Sequence, residues 1–315
     1  MVTMTIAHSD VLDAVRADLP PGVASEVRLV EWGVRGPLPV GVDPAEVDVV
    51  VVPNFAVGAA MFARVTELPA LRAIQLPSAG FEHALGHVPP GVVLCNGRGV
   101  HDAGTAELAL ALTLASQRGV VDAVRAMPEG RWEPEVRASL ADRRVLVLGA
   151  GAIGSAIARR LDAFEAEVVR VARTARDEQG VHVHGVDELD ALLPTVDIVI
   201  AVLPLSDATH RLVDAGFLAR MRDGALLVNV GRGAVVDTDA LLAETSSGRL
   251  RAALDVTDPE PLPADHPLWQ VPGVLITPHL GGNTNATTPR LAALLRRQLG
   301  HLVAGEDLEN VVARG

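Results

Sequence analysis

The second half of the chain carries four charged or titratable residues that each come at or just after the end of a short hydrophobic segment. In chain order they are Arg232, Asp255, Glu260 and His279. If these segments are parallel strands, their carboxyl ends meet at one edge of a sheet, where open α/β sheets bind their ligands. A guanidinium suits an anionic group, and an imidazole titrates near neutral pH and can give and retake a proton. The four residues therefore predict a site for acid–base chemistry on an anionic molecule.

A glycine motif opens the same region. Residues 149–154 read Gly-Ala-Gly-Ala-Ile-Gly, directly after the hydrophobic segment 144–148 and before an amphipathic helical pattern. In such a strand–turn–helix unit the first glycine allows the tight turn, the second lets the backbone approach a pyrophosphate, and the third permits close helix–strand packing. The free N–H groups at the helix start favour the anion. The motif predicts a dinucleotide site rather than a chance glycine loop, with contacts from Gly149, Gly151, Ala152, Ile153 and Gly154.

The residues after the next predicted strand, 167–172, bear on the choice of cofactor. A domain selective for NAD usually places Asp or Glu there to bind the ribose 2′-hydroxyl. Here Arg173, Thr174 and Arg176 follow instead. Two guanidinium groups and a hydroxyl would bind a 2′-phosphate, which a carboxylate would repel. The sequence therefore predicts a preference for NADP(H), with NAD(H) possible; the alternative is a solvated loop whose arginines pair with neighbouring acidic residues.

Composition narrows the class of protein. The net charge is −12, which disfavours nucleic acid and anionic membranes as partners. The chain has no Lys and no Tyr, so it can form neither a Schiff-base lysine nor a P-loop lysine. The single cysteine, Cys95, excludes an intramolecular disulfide and a cysteine-built metal site, and we expect no metal. No apolar run is long enough to span a bilayer and the N-terminus does not look like a signal peptide, so we expect a cytoplasmic protein.

Hydrophobic segments alternate with helical patterns through both halves of the chain, which predicts an α/β class with parallel sheets. Before the glycine motif the predicted strands are 5–8, 26–31, 47–52, 71–75 and 92–95, and one long helix is predicted over about 103–126. From the motif onward the predicted strands are 144–148, 167–172, 197–202, 225–229, 251–256 and 274–277. Six strands in βα alternation fit a doubly wound nucleotide domain, and 288–304 is predicted to be helical.

Several blocks, in this order and spacing, give the chain a family resemblance. They are Gly149-Ala-Gly-Ala-Ile-Gly, Leu203-Pro-Leu-Ser, Val228-Asn-Val-Gly-Arg-Gly, Ala253-Leu-Asp-Val-Thr-Asp-Pro-Glu-Pro and Ile276-Thr-Pro-His-Leu-Gly-Gly. The sequence resembles the D-isomer-specific 2-hydroxyacid dehydrogenases over nearly its whole length, and most of all the NADP-dependent glyoxylate/hydroxypyruvate reductase branch. The resemblance implies two Rossmann-like or flavodoxin-like domains with an active-site cleft between them. We expect a discontinuous substrate-binding domain of residues 1–98 and 284–315 and a dinucleotide-binding domain of residues 99–283.

The resemblance also implies roles for the residues that match the family's motifs. His279 would be the general acid, Glu260 would hold its imidazole, and Arg232 would grip the substrate carboxylate. Asp255 would orient the nicotinamide carboxamide, with a helix or turn cap as the alternative. Further cofactor contacts are implied for Thr105, Leu203 and Pro204, and the backbone of Ser78, Ala79 and Gly80, with Arg232 and His279, would bind substrate.

These roles predict an NADP(H)-preferring oxidoreductase that transfers a hydride between nicotinamide and C2 of a small 2-keto or D-2-hydroxy acid such as glyoxylate or hydroxypyruvate. One alternative is an NAD-dependent phosphoglycerate-type dehydrogenase. The lack of a basic residue in the segment 53–61 disfavours it, since a phosphorylated substrate needs a second anion clamp. The other is a non-catalytic, nicotinamide-sensing binding protein, which the intact Arg, Glu and His set disfavours. The resemblance also implies a homodimer.

Overall fold

A computed structural model describes residues 1–53, 59–178 and 180–315, with the side chains of residues 59–61 left out. The strands are β1 Val2–Ile6, β2 Val27–Glu31, β3 Val49–Val51, β4 Ala73–Gln75, β5 Val93–Cys95, β6 Arg144–Leu148, β7 Glu167–Ala172, β8 Arg176–Glu178, β9 Val181–Gly185, β10 Ile198–Ala201, β11 Leu226–Asn229, β12 Arg251–Leu254, β13 Val274–Ile276 and β14 Val311–Arg314. The α-helices are α1 Ser9–Ala17, α2 Pro21–Ala24, α3 Ala59–Val65, α4 Asp102–Gln117, α5 Val120–Ala126, α6 Ala152–Asp162, α7 Leu189–Leu192, α8 Ala215–Arg220, α9 Thr238–Ser246 and α10 Thr287–Ala304. The α/β class predicted from the alternation of elements is confirmed.

One compact unit consists of Met1–His101 and Thr284–Gly315. Its six-stranded sheet has the order β14-β5-β4-β3-β1-β2, and every neighbouring pair is parallel except β14 with β5. Strands β1 and β3 are buried along their whole length. The three valines of β3 form the continuous apolar run that a parallel strand covered on both faces requires. One face packs against α1 and α10, which brings the last helix of the chain back onto the first strands.

The second unit is Asp102–Asn283, and its eight-stranded sheet has the order β13-β12-β11-β10-β6-β7-β9-β8. All neighbours are parallel except the β8–β9 hairpin. The chain runs outward from β6 in both directions, so β6 and β10 lie side by side where the strand order reverses. Ligands of open α/β sheets bind beyond the carboxyl ends of the strands at such a reversal. The glycine motif lies at the end of β6 and is therefore at this point of the sheet.

All six strands predicted for the second unit are present, but two further strands were missed. Strands β8 and β9 form a hairpin that extends the sheet beyond β7, with Arg170 opposite Val183. The single helix predicted over 103–126 is wrong, because the chain breaks between α4 and α5 at Gly119, whose φ is +63°. Among residues 1–53, 59–178 and 180–315, no helix combines the length and apolar character needed to cross a bilayer.

Candidate active site

The turn between β6 and α6 has the geometry that the glycine motif predicts. Gly149 has a φ of +121°, and a Cβ built there would lie 2.7 Å from the carbonyl oxygen of Val202. A Cβ on Gly154 would overlap the carbonyl oxygen of Gly149, so helix and strand can approach this closely only with glycine at that position. A Cβ on Gly151, by contrast, would meet open space.

Helix α6 therefore begins on the open side of this turn. No side chain of the described residues caps its N-terminus, which leaves the N–H groups of its first turn, at Ala152 and Ile153, available to a ligand. With eleven residues the helix also presents the positive end of its dipole there. An open glycine position beside an uncapped helix start fits the pyrophosphate of a dinucleotide.

The two arginines after β7 differ: one has the features expected of a contact to a 2′-phosphate, and the other pairs with an acidic neighbour. Arg173 and Thr174 are exposed, and the Arg173 guanidinium has no hydrogen bond or ion pair anywhere in the described ranges. Arg176 instead lies in β8 and pairs with Glu178 at 2.6 Å. The hydrogen bond from Arg176 is the main cause of a lowered pKa of the Glu178 carboxyl. Arg173 is thus available to a phosphate, whereas Arg176 is engaged by an acidic neighbour.

Arg232 lies on the turn after β11, and a buried amide holds that turn. Asn229, the last residue of the strand, donates from Nδ2 to the carbonyl oxygen of Arg232 at 3.0 Å. Its Oδ1 accepts from the N–H of Gly231 at 3.1 Å. Asn229 is 1% exposed and was not predicted as a site residue. Its signal in the sequence was an amide at the end of an otherwise apolar strand.

The carboxylate of Asp255, at the end of β12, fixes the loop that follows β13. Its Oδ1 accepts from the Thr277 hydroxyl at 2.6 Å and from the Leu280 N–H at 2.8 Å. Its Oδ2 accepts from the Gly281 N–H at 2.9 Å, and the residue is only 2% exposed. These contacts are those of a turn cap, the alternative that the sequence left open for this residue.

The loop held by Asp255 carries His279 in a left-handed conformation, with a φ of +54°. That conformation costs a residue other than glycine about 1–2 kcal/mol, so it needs support from its surroundings. The His279 N–H donates to the carbonyl oxygen of Asp255 at 2.9 Å, which ties the strained residue directly to β12. Asp255 therefore positions His279 through both its backbone and its side chain.

His279 and Glu260 form a close pair. Nδ1 of the imidazole lies 2.6 Å from Oε1 of the carboxylate, and the two side chains are 36% and 42% exposed. Because an ionised carboxylate only accepts hydrogen bonds, Nδ1 carries the proton in this pair. The hydrogen bond from His279 lowers the pKa of Glu260; burial opposes the shift, and the charges of His279 and Arg232 add to it.

The charge of Arg232, on the loop after β11, makes the smallest contribution to the lowered pKa of Glu260. Three loops, after β11, β12 and β13, thus bring a guanidinium, a carboxylate and an imidazole to one edge of the sheet. Thr105, predicted as a cofactor contact, is a buried residue of α4. It lies beside the loop after β13, because a Cβ built on Gly281 would be 3.2 Å from its Oγ1. Leu203 and Pro204 follow β10 at the same edge, where the hydroxyl of Thr209 donates to the carbonyl oxygen of Pro204 at 2.7 Å.

The predicted substrate backbone lies in the first unit, in the loop after β4. The Ser78 hydroxyl donates to the carbonyl oxygen of Gly80 at 2.9 Å, and Nδ2 of Asn96 donates to the carbonyl oxygen of Ala79 at 2.7 Å. Within the described chain the N–H groups of residues 78–80 donate to no partner, so they are available to an anion. The other predicted feature of this unit, the segment 53–61 without a basic residue, falls largely on residues 54–58, outside the described residues.

A family model described as D-isomer specific 2-hydroxyacid dehydrogenase, NAD binding domain, matches residues 110–281, which include the glycine turn, Arg232, Glu260 and His279. The chain belongs to the D-isomer specific 2-hydroxyacid dehydrogenases. It is 37% identical over 257 residues to glyoxylate/hydroxypyruvate reductase B of Pectobacterium atrosepticum, covering 78% of this chain and 79% of that protein. The dehydrogenase is an oxidoreductase by family, and its second unit is the domain that the family uses to bind a nicotinamide dinucleotide.

The fold is shared with a solved relative over nearly the whole chain. The D-isomer specific 2-hydroxyacid dehydrogenase from Xanthobacter autotrophicus Py2, in complex with NADPH and MES, is 32% identical with a TM-score of 0.82, covering 99% of this chain and 98% of that one. A more distant relative is the D-3-phosphoglycerate dehydrogenase of Archaeoglobus fulgidus, which is 31% identical over 229 residues. That match covers 70% of this chain and only 43% of the relative. The family predicted from the sequence blocks is therefore confirmed.

Proposed function

We propose that this dehydrogenase is an NADP(H)-preferring reductase of small 2-keto acids, with glyoxylate and hydroxypyruvate as its substrates and D-2-hydroxy acids as its products. The observation that carries the proposal is the pair of Nδ1 of His279 with Oε1 of Glu260 at 2.6 Å, on loops next to Arg232. The proposal is supported by the similarity to glyoxylate/hydroxypyruvate reductase B at 37% identity.

The residues that would hold the dinucleotide fit it. The turn from Gly149 to Gly154 and the uncapped start of α6 would bind its pyrophosphate, and the free guanidinium of Arg173 would bind the 2′-phosphate of NADP. Thr174, Leu203, Pro204 and Thr105 would line the remainder of the cofactor. When bound, the cofactor supplies a hydride for C2 of the keto acid. NAD(H) remains a possible second cofactor because Arg176 is already paired with Glu178.

Arg232 would bind the substrate carboxylate through its planar fork, and its positive charge would favour the negative charge that develops on the carbonyl oxygen during reduction. The buried amide of Asn229 would keep the turn of Arg232 in place. The N–H groups of Ser78, Ala79 and Gly80, which donate to no partner within the described chain, would supply donors to an anionic group of the substrate. This assigns substrate binding to residues 1–98 and 284–315 and cofactor binding to residues 99–283.

His279 would donate a proton from Nε2 to the carbonyl oxygen as the alcohol forms, and would take it back in the reverse direction. Glu260 would hold the imidazole by Nδ1 and keep the ring oriented for the transfer. The partial exposure of both side chains lets the pair recover its proton from solvent between turnovers.

A substrate panel with both cofactors tests the activity. We expect oxidation of NADPH with glyoxylate and hydroxypyruvate, and loss of most turnover in His279→Gln with little change in NADPH affinity. His301→Gln is the matched control, because it removes another imidazole that is paired with carboxylates, on α10, and should retain the wild-type kcat. Wild-type kcat in His279→Gln would remove the catalytic role of this residue.

Arg173→Ala tests the cofactor preference. We expect KM for NADPH to rise much more than KM for NADH, with a smaller effect in Arg176→Ala because that guanidinium already pairs with Glu178. Arg159→Ala is the matched control, since Arg159 is an exposed arginine on α6 that is not assigned to the phosphate. Equal effects of Arg173→Ala on the two cofactors would contradict the preference.

An NAD-dependent phosphoglycerate-type activity is the second candidate, and the similarity to the phosphoglycerate dehydrogenase of Archaeoglobus fulgidus favours testing it. Phosphohydroxypyruvate with NADH distinguishes the two, because only a site with a second anion clamp should prefer it to hydroxypyruvate. A higher kcat/KM for the phosphorylated substrate would replace the main proposal with this one.

We also propose a homodimer in the cytoplasm. A surface formed by α5 and the segment after it exposes apolar side chains that water disfavours, namely Val120, Val124, Met127, Trp132 and Val136. Light scattering should give twice the 32.9 kDa chain mass, and Trp132→Glu should shift it toward the monomer. Val40→Glu, at an exposed apolar residue of the other unit, is the control. A monomeric wild type would contradict the proposal.

A further inference from the structure

Two histidines of the edge hairpin share one face of the sheet. Strand β9 reads Val-His-Val-His-Gly, and alternate side chains of a strand point the same way. His182 and His184 therefore project together, with ring centroids 4.6 Å apart and the ring planes at 87°. Val183 between them is fully buried on the opposite face.

Each imidazole has a carboxylate at its Nδ1. His182 lies 2.8 Å from Oδ1 of Asp177, its partner across the hairpin. His184 lies 2.7 Å from Oε2 of Glu188, whose Oε1 accepts from the N–H of Gly185 at 2.8 Å. Since an ionised carboxylate can only accept, each Nδ1 carries the proton, and the lone pair of each neutral ring is on Nε2.

Metal-binding histidines in proteins show this pattern, in which a carboxylate on one ring nitrogen orients the ring and makes the other nitrogen more basic. One nitrogen or oxygen atom each from His182, His184 and Glu188 lies within 4.8 Å of the other two. The two histidine side chains keep 52% and 26% of their surface exposed, so an ion can reach them and complete its coordination with water.

We propose that His182 and His184 bind a divalent transition-metal ion such as Zn²⁺, Ni²⁺ or Co²⁺ through Nε2, with water completing its coordination. Imidazole ligands suit these ions, whereas Mg²⁺ and Ca²⁺ favour all-oxygen ligand sets. Asp177 and Glu188 act as the outer partners that orient His182 and His184.

The two histidines and Arg176 project from opposite faces of the hairpin. In the hairpin Arg176 lies opposite Val183, whereas Asp177 lies opposite His182. Paired residues share a face of the sheet, so Arg176 and Glu178 project from the face opposite to the histidines. Metal binding can therefore be tested without substituting any residue that we assign to the cofactor or the substrate.

Calorimetric titration of the untagged full-length chain with Zn²⁺ tests the site. We expect saturable binding of one ion per chain, loss of that binding in His184→Gln and in His182→Gln, and an affinity reduced about 10- to 100-fold in Asp177→Ala. Zn²⁺ should raise the Tm of the wild type and leave the Tm of the two histidine variants unchanged. With Co²⁺ in place of Zn²⁺, visible absorption should appear only in chains that retain both histidines.

Two controls separate this site from other imidazoles of the chain. His301→Gln removes a ring that also lies beside carboxylates, and His279→Gln removes the ring of the candidate active site. Both variants should bind Zn²⁺ as the wild type does. The proposal is overturned if the wild type shows no saturable binding, if the His182 and His184 variants bind as tightly as the wild type, or if either control abolishes binding.

Discussion

The carboxylate of Asp255 allows a direct test of whether this residue holds the loop that carries His279. Replacing one carboxylate oxygen with an amide nitrogen turns one hydrogen-bond acceptor into a donor. In Asp255→Asn the amide oxygen can still accept from Thr277 and Leu280. The amide nitrogen then faces the Gly281 N–H, which Oδ2 accepts at 2.9 Å in the wild type. Two donors then oppose each other in a position that is 2% exposed, where water cannot replace the lost bond.

The magnitude follows from these contacts. A hydrogen bond to a charged group contributes about 1.5–3 kcal/mol, and the two retained bonds weaken to roughly half once the acceptor is neutral. Removing a buried charge offsets part of that loss, because the charge no longer has to be kept out of water. We expect the free energy of unfolding to fall by about 2–3 kcal/mol. Since the loop carries His279, a shift of about 1 Å should also lower kcat by about 100-fold.

Urea denaturation followed by far-ultraviolet circular dichroism, together with steady-state kcat, measures both effects. Asp214→Asn is the matched control: Asp214 caps α8 through the Phe217 N–H at 2.8 Å, and asparagine caps helices about as well as aspartate. Unchanged stability and kcat in Asp255→Asn would refute the positioning role. A raised KM for NADPH with unchanged stability would instead favour a direct contact of Asp255 with the nicotinamide.

Three further predictions follow from buried or paired groups. The pKa of Glu260 is lowered by His279. The pair therefore stabilises the fold at pH values above the unfolded-state pKa of Glu260, and this stabilisation is lost as the pH falls through the lower, folded-state pKa. At neutral pH, Glu260→Gln should therefore have a lower free energy of unfolding than the wild type, by less than about 1 kcal/mol because the pair is partly exposed. In acid the two proteins should be equally stable, which urea titrations at several pH values measure. Burial raises the pKa of the Cys95 thiol to about 11, so at pH 8 a thiol reagent should modify the unfolded chain and spare the native one. Gly154→Ala should lower the free energy of unfolding by about 1–3 kcal/mol because its Cβ meets the backbone, whereas Gly151→Ala should change stability by less than about 0.5 kcal/mol and weaken NADPH binding.

Strands β6 and β7 could be predicted at their observed bounds because they are apolar runs next to clear turn signals. The hairpin of β8 and β9 was missed because half of its strand residues are exposed and β8 is made of charged side chains. Its stability comes from pairing with the edge of the sheet and from cross-strand contacts such as that between Asp177 and His182. Those contacts depend on tertiary structure and leave little periodicity in the sequence.

The helix break at Gly119 was missed for a related reason. The apolar pattern of α4 continues into α5, so periodicity alone predicts one helix, and a single glycine within such a pattern is tolerated. A left-handed φ at that residue ends the first helix and redirects the chain. The end of a helix is decided by backbone conformation and by what its last turn packs against, which the hydrophobic pattern does not encode.

For the candidate site, residue types were predictable but their partners were not. The sequence indicated that Arg232, Glu260 and His279 follow strands of one sheet. It could not show that Asn229 holds one loop or that Asp255 holds another, because both contacts join residues whose positions are set by the fold. A polar residue at the end of a buried strand was the available signal in both cases, since an amide or carboxylate in such a position must find partners.

The two carboxylates next to His279 differ in a way that suits different tasks. Asp255 is buried, accepts three hydrogen bonds and holds the loop in one conformation. Glu260 is partly exposed and pairs with an imidazole that, in the proposed mechanism, changes its protonation state in each turnover. If the tasks were exchanged, a buried pair would gain and lose charge away from water, at a cost of several kcal/mol, and an exposed carboxylate would hold the loop through weak, water-competed bonds. The division keeps the imidazole fixed in place while leaving its proton free to move.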